Sequence, residues 1–344
     1  MNKFIVKIDG GIGNQMFEYA WARAMQKLYG GEIWLDGHAY RQKGAYRKLS
    51  LLHFDLNGDV HVIDSFADKT RMYYCAARKR ITDVLYTKSN QNNYLNKIGW
   101  GVYGQYTHNS FDCFVKPQRQ LNYVTGSWFS EDFFEPAKDE IKKEFIVKTP
   151  ANETSNKLLD EIASCESVCV HIRLGDLLNE PYYSRAFLCG NSYYYHAIEM
   201  MLEKLKAPVF YIFTNRHKDF MYLQENYKFP VDVKFVDLGN PDYEDLRLMY
   251  SCKHQIIGNS TYSWWAQYLN PNPEKIIVAP CMINKHNLWS LKNMFMDSWE
   301  LVGPEYLELG GMTSTKEINT VAPSIAWEEV EEAYIKQMKV GRKF

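Results

Sequence analysis

Two segments of this 344-residue chain carry residue types suited to holding phosphate. The first is Gly258-Asn259-Ser260-Thr261-Tyr262-Ser263-Trp264-Trp265, between an apolar run at 255–258 and a helix expected over 260–269. The first turn of a helix has N–H groups without intrahelical partners, and the macrodipole favours an anion there. Ser260, Thr261 and Ser263 add hydroxyl donors. A plainer reading makes Ser260 an ordinary N-cap and the two tryptophans core. The second segment is Val168-Cys169-Val170-His171-Ile172-Arg173-Leu174-Gly175-Asp176. Alternation along a strand puts Cys169, His171 and Arg173 on one face and Val168, Val170 and Ile172 on the other. Arg173 then stands at the strand's carboxyl end, where a guanidinium can grip phosphate in a bidentate way that lysine cannot. Gly175 permits a tight turn and Asp176 can brace Arg173; a purely structural Arg–Asp pair is the alternative. Together the two segments describe a diphosphate pocket. Such a pocket fits a nucleotide-sugar donor, whose departing diphosphate gains charge that preplaced donors stabilise.

These residues need elements to position them. The region after about 150 alternates strands expected at 167–172, 209–214, 231–236, 254–258 and 275–279 with helices at 192–206, 218–227, 243–252 and 260–269. Asp242 is the expected N-cap of the third helix. Alternating βα units imply a parallel sheet with ligands at the carboxyl ends of its strands. The N-terminal region opens with a strand at 4–8, a turn Gly10-Gly11-Ile12-Gly13-Asn14-Gln15, a helix at about 14–29 closed by Gly30-Gly31, and a strand at 32–35 ending at Asp36. Residues 40–125 show little periodicity and read as short helices and loops. Gly126-Ser127-Trp128-Phe129 reads as a strand end entering a loop. An amphipathic helix is expected at 136–148, a linker at 149–152, the beginning of the second unit at 152–164 and a last amphipathic helix at about 326–340. The division is 1–150, 151–300 and a tail at 301–344.

Bulk properties narrow the function. The chain suits two domains of roughly 150 residues each. Its formal net charge is −1 and no basic tract stands out, which argues against nucleic acid. Seven cysteines, odd in number and without a metal-type pair, fit reduced thiols in the cytoplasm. No apolar run approaches a membrane span, and the first residues are too polar for a signal peptide. The aromatic content of 15% suits carbohydrate and ordinary cores alike.

The glycine turn after the first strand invites comparison with a dinucleotide site, but Met16 stands where the third glycine belongs. Asn14 and Gln15 instead offer amides that can bond sugar hydroxyls. There is no phosphate-binding GxxxxGK[ST] loop, no HExxH and no GxSxG. Asp-x-Asp is also absent. A transferase that holds its donor through a divalent metal needs such a carboxylate pair, so neutralisation by Arg173 and the helix end is expected instead.

Three motifs, Gly10-Gly11-Ile12-Gly13-Asn14-Gln15-Met16-Phe17, His171-x-Arg173-x-Gly175-Asp176 and Asn259-Ser260-Thr261-Tyr262-Ser263-Trp264-Trp265, resemble glycosyltransferase family 11, the α-1,2-fucosyltransferases. Glu244-Asp245-Leu246-x-Leu248-Met249 ahead of Cys252-Lys253-His254 is similar too, and the resemblance spans about 4–280. It implies an α/β, GT-B-type fold of two Rossmann-like domains facing a cleft. It implies an inverting transfer of fucose from GDP-fucose to the 2-hydroxyl of a terminal galactose, on a cell-surface glycan or its lipid-linked precursor, with no metal and no cofactor. Catalysis would rest on Arg173 and Asn14. The substrates would be bound by Gly13, Asn14, Gln15, His171, Arg173, Asp176, Asn215, Asn259, Ser260, Thr261, Tyr262 and Ser263. The expected partners are the nucleotide sugar and a galactose-terminated oligosaccharide. The expected location is cytoplasmic, with peripheral contact at the inner membrane face left open.

One departure concerns the donor. After the strand at 209–213 the family has Ser or Thr and then two Asp, whereas this chain has Thr214-Asn215-Arg216. An acid there can accept from the guanine N1–H and amino group. Asn215 accepts only through its carbonyl and Arg216 not at all. A related transferase with another nucleotide-sugar donor is the alternative; the intact motifs argue against a non-catalytic binding protein. Asp9, Glu18, Asp36 and His38 are candidates for a general base, none singled out.

Overall fold

The structure is a computed structural model of the chain, and it describes residues 1–43, 45, 47–56, 59–63, 66–86, 102–104, 114–126, 128–174, 187–280, 294–303 and 308–309. The chain divides into two compact units, Met1–Thr149 and Pro150–Phe344.

Unit 1 runs β1 (Lys3–Lys7), α1 (Ile12–Tyr29), β2 (Glu32–Asp36), β3 (Val60–Val62), α2 (Phe66–Tyr86), β4 (Val102–Gly104), β5 (Leu121–Thr125) and α3 (Lys138–Glu144). The sheet order is β3-β2-β1-β5-β4, with parallel pairing throughout. α1 is buried almost all round, with Met16, Phe17, Ala20, Trp21, Ala24 and Met25 wholly buried. Trp21 stacks on Trp128 with ring centroids 4.5 Å apart. Gly30 ends the helix, its N–H donating to the Gln26 carbonyl at 2.8 Å.

The irregular reading of 40–125 missed α2, a helix of 21 residues. Its packed stripe is narrow: Met72 and Cys75 lie against Ile5, Ile63 and Tyr123, while Phe66, Tyr73 and Tyr74 face outward. That arrangement erases the apolar contrast from which a helix is read. The helix expected at 136–148 is shorter, Lys138–Glu144, because a 3-10 turn at Glu135–Ala137 carrying Pro136 precedes it.

Unit 2 runs α4 (Glu153–Ser164), β6 (Ser167–His171), β7 (Phe187–Leu188), α5 (Asn191–Lys204), β8 (Val209–Phe213), α6 (His217–Asn226), β9 (Val233–Phe235), α7 (Asp242–Ser251), β10 (His254–Ile256), α8 (Thr261–Leu269), β11 (Ile277–Pro280), β12 (Glu300–Val302) and β13 (Glu308–Leu309). The main sheet has the order β12-β11-β10-β6-β8-β9 and is parallel. Outward from β6, strands β8 and β9 follow on one side and β10, β11 and β12 on the other. This is the doubly wound dinucleotide-fold order, and its topological switch point falls between β6 and β10. Two successive parallel-sheet α/β units make up the GT-B-type class expected from the sequence. The short β7 and β13 pair antiparallel on their own.

Asp242 is not the N-cap of α7. Pro241 holds that position with φ −67° and ψ 157°, and Asp242 opens the helix, its Oδ1 accepting from the Tyr243 N–H at 2.9 Å. The proline ring fixes the extended-to-helical entry without a side-chain cap. The helix expected at about 326–340 lies outside the described residues. Among the described residues no helix is long and apolar enough to cross a membrane.

Candidate functional site

β6 is buried along its whole length, as a central parallel strand covered on both faces must be. Val168, Val170 and Ile172 pack with Tyr193, Ala197, Ile198 and Met201 of α5. Each such side chain, fully buried, contributes about 1.5–3 kcal/mol relative to exposure. Alternation turns Cys169, His171 and Arg173 to the other face, where α7 and α8 lie. Cys169 meets Cys252 at the end of α7, and the His171 ring packs edge-on against Tyr262 of α8, centroids 5.4 Å apart.

Arg173 sits just beyond β6, at the switch point. Its Nη1 donates to the Asn259 carbonyl at 3.0 Å, joining the end of β6 to the turn that opens α8. That turn requires its glycine. A Cβ on Gly258 would stand 2.8 Å from the His171 carbonyl and 2.8 Å from the Tyr194 hydroxyl. Tyr194 donates to the His171 carbonyl at 3.0 Å and Tyr193 to the Ile257 carbonyl at 2.6 Å. Two phenols of α5 therefore hold the carboxyl ends of β6 and β10.

Ser260 is the N-cap of α8, its Oγ accepting from the Tyr262 N–H at 3.2 Å. Thr261 and Tyr262 are half-buried at the helix start. Ser263 is wholly buried, its hydroxyl donating to the carbonyls of Gly258 and Ser260, both at 3.2 Å. It braces the turn instead of offering a donor outward, against the sequence expectation. Trp264 and Trp265 are core: Trp264 donates to the Met294 carbonyl at 2.6 Å and stacks on Tyr268. The ordinary-cap and core reading is thus right for these side chains. Of the anion site expected from the sequence, the helix end at the switch point remains as a candidate.

His171 is 1% exposed and neither ring nitrogen has a hydrogen-bond partner. Burial, and then the Arg173 charge, pulls its pKa down to about 3, against a weaker opposing effect of the Asn215 amide, which lies near without hydrogen-bond geometry. The ring is therefore neutral at physiological pH. Thr214, at the end of the neighbouring β8, is also buried with an unpartnered hydroxyl. Buried polar groups left unpaired cost about 1–3 kcal/mol each, so two of them at adjacent strand ends mark a place for a ligand or water. Sequence reading named Thr214 only as the first residue of Thr214-Asn215-Arg216 and gave it no role; its place after a buried strand beside β6 was the available signal.

Asn215 is exposed, and Arg216 turns back onto α6, pairing with Asp219 through two bonds of 2.9 and 2.7 Å. Asp176 and Gly175 lie outside the described residues. Beside α8, the Tyr262 hydroxyl donates to the Asp242 carbonyl at 2.5 Å, bringing the acidic start of α7 to the site. Burial pushes the Asp245 carboxyl up to about 7, opposed by the Asn240 amide that donates to it at 3.1 Å and reinforced by the nearby charges of Glu244, Asp242 and Asp237. That shift is a second feature the sequence did not display.

In unit 1 the glycine turn is held from three elements. The Asp9 N–H donates to Glu18 of α1 at 2.9 Å, and Tyr40 donates to the Gly10 carbonyl at 2.9 Å. The buried Gln15 amide donates to the Lys48 carbonyl at 2.7 Å and accepts from the Ser50 N–H at 2.9 Å. Gln15 is a clamp between the turn and 48–50, not the outward-facing amide expected. Gly10 has φ +74°, and its α-carbon is packed under Asn14, where a Cβ would stand 2.6 Å from Nδ2. Asn14 is half-buried and Gly13 buried beside the turn, and the Arg47 guanidinium lies over Gly11. Arg47 is a third residue that sequence reading did not select.

The candidate bases now differ. Glu18 is buried, and burial raises its pKa well above the ordinary range, opposed by the Asp9 N–H that donates to it. Asp9 is exposed and paired with Lys7 at 3.0 Å. Asp36 is buried at the carboxyl end of β2, accepts from the His38 N–H at 3.1 Å, and has a pKa raised by burial.

The family model of glycosyl transferase family 11 matches residues 3–302. An alpha-1,2-colitosyltransferase of Escherichia coli is 27% identical over 305 residues, 81% of this chain and 92% of that protein. The O-antigen biosynthesis glycosyltransferase WbnK of Escherichia coli is 26% identical over 308 residues, 85% of this chain and 98% of that protein. Galactoside alpha-(1,2)-fucosyltransferase 1 of Bos taurus is 27% identical over 162 residues, 42% of this chain and 43% of that protein. Among solved structures, NodZ alpha-1,6-fucosyltransferase co-crystallized with GDP aligns over 78% of this chain and 93% of its own, with TM-score 0.47 and 15% identity.

Proposed function

Since the chain belongs to glycosyl transferase family 11, we propose that it transfers fucose from GDP-fucose to the 2-hydroxyl of a terminal galactose, with inversion and without a metal. The observation that carries this reading is the joint placement of Arg173 and the α8 N-terminus at the switch point of the unit 2 sheet. A guanidinium and a helix end there suit a diphosphate whose charge grows as it leaves. Neutral His171 adds polar capacity without repelling Arg173. The Thr214 hydroxyl adds another group that a nucleotide can satisfy.

In unit 1 the reading assigns the sugar contact to Asn14 and the proton to Asp36. The galactose 2-oxygen forms the new bond to C1 of fucose as the bond from C1 to the diphosphate oxygen breaks. GDP leaves with that electron pair, and the hydroxyl proton passes to the Asp36 carboxylate. A raised pKa makes Asp36 a better proton acceptor than an exposed aspartate. The fixed backbone of the glycine turn keeps Asn14 in place while this happens.

A second reading keeps the chemistry and changes the donor. It is favoured by Arg216, which is committed to Asp219 and leaves the uncharged side chains of Thr214 and Asn215 as acceptors for guanine in that loop. The relatives' names also differ in sugar, colitose in one and fucose in another.

The test is incubation with GDP-fucose and lactose in EDTA, reading GDP release and product linkage. An α-1,2-fucosylated product supports donor, acceptor and metal independence together. No product with tight GDP-fucose binding rejects the galactose acceptor, and no binding rejects the donor.

A further inference from the structure

We propose that the outward face of α2 is a docking surface for an anionic phospholipid membrane. α2 gathers four exposed large apolar side chains: Phe66 at 87% exposure, Tyr73 at 57%, Tyr74 at 60% and Ile81 at 50%. With 100° per residue these fall, together with Ala77, within one arc of roughly 100°. From Phe66 to Ile81 the stripe runs about 22 Å along the helix axis. The remaining exposed large apolar residues among those described are scattered over other elements. The opposite stripe, Met72 and Cys75, is the one buried against Ile5 and Tyr123, so among the described residues the aromatic face is not used in packing against the sheet.

Charge identifies the occupant. Along Phe66–Tyr86 five cations, Lys69, Arg71, Arg78, Lys79 and Arg80, stand against two acids, Asp68 and Asp83, in a chain whose formal net charge is −1. Helical spacing puts Lys69 and Arg80 along one edge of the aromatic stripe and Arg78 along the other, together with Arg71, which is ion-paired with Asp68 at 2.9 Å. Arg78 is fixed there, donating to the Leu121 carbonyl at 3.0 Å and lying 5.4 Å from the Tyr74 ring centroid. An apolar arc flanked by cations is the pattern of a helix lying in a headgroup region, its rings at the acyl boundary and its cations on lipid phosphates. Tyrosine suits that depth, having an apolar body and a polar tip. A second copy of the chain would meet the same cations and be repelled. The inference is independent of the donor and acceptor assigned above.

The test is flotation of the full chain with vesicles of phosphatidylglycerol and phosphatidylcholine, or of phosphatidylcholine alone, at low and high salt, with sedimentation velocity alongside. The chain is expected on the mixed vesicles, weakening at high salt and on neutral vesicles. A variant carrying Phe66→Ser, Tyr73→Ser, Tyr74→Ser and Ile81→Ser should bind at least about tenfold less tightly. Lys69→Glu with Arg80→Glu should lower binding to the mixed vesicles alone. All six positions are exposed or half-buried, and circular dichroism with the thermal midpoint confirms that each variant is folded. The proposal is overturned if the chain ignores anionic vesicles or if the four-serine variant binds them equally. It is also overturned if the stripe proves to be a dimer contact, with a dimer that the four-serine variant splits and no vesicle binding.

Discussion

The Arg173 guanidinium donates to the Asn259 main-chain carbonyl at 3.0 Å, so the end of β6 and the entrance of α8 are one hydrogen-bonded unit. The bond orients a cation at the switch point, where it costs no reorganisation when charge develops.

Replacing Arg173 with Ala should lower kcat/KM by about 10²–10³-fold, the range for losing a positioned charge-assisted donor. Arg173→Lys should recover little of it, because an ammonium cannot make the paired contacts. Steady-state kinetics and calorimetric titration with GDP read this, with a urea midpoint to show that the fold is kept. Near-normal turnover of a folded Arg173→Ala protein would sink the diphosphate assignment.

Asp36→Asn should lower kcat by about 10²–10⁴-fold, with GDP affinity unchanged. In the role proposed for it, Asp36 acts as its carboxylate, whose pKa is raised by burial. In the wild type kcat/KM should therefore fall on the acid side at a pH above the ordinary aspartate range, and that limb should vanish in Asp36→Asn. An unchanged acid limb would assign it to another group.

Gly258→Ala should cost about 1–3 kcal/mol of stability, the usual penalty of overpacking. Its Cβ would press on two oxygens at 2.8 Å, one of them the Tyr194 hydroxyl. Tyr194→Phe removes that oxygen, so the double variant should lose less than the two single losses summed. Additive losses in chemical denaturation would contradict the close approach.

His171 and Asp245 should give opposite slopes of stability against pH. Burial lowers the His171 pKa to about 3 from its ordinary value of 6.5. The unfolded chain binds the extra proton across that window, so this contribution is present above 6.5 and is lost as pH falls. Asp245 is raised to about 7 from 3.8, so the folded chain holds the extra proton between those values and stability declines as pH rises through them. In the wild type the two largely offset between about pH 4 and 6.5. Relative to the wild type, the slope of unfolding free energy against pH, read from urea titrations, should turn more positive in Asp245→Asn and more negative in His171→Gln, each by up to about 1.4 kcal/mol per pH unit. Slopes of the reverse sign would refute the burial of these groups.

The amino-acid order by itself determined five of the six parallel strands of the main sheet of unit 2 and the helices between them, the two faces of β6, and the meeting of Arg173 with the α8 entrance; β12 at Glu300–Val302 was not expected. Strand alternation and helical period are properties of the local backbone, and βα alternation leaves one parallel arrangement with ligands at the carboxyl edge. Tertiary structure decided which polar groups are spent. Gln15 and Ser263 carry the same donors wherever they stand, but 48–50 claims the first and the carbonyls of Gly258 and Ser260 claim the second. It also left the His171 ring and the Thr214 hydroxyl buried without partners, raised the carboxyl of Asp245, and turned the aromatic face of α2 outward. Burial and hydrogen-bond satisfaction depend on neighbours far away in sequence, so no local pattern records them.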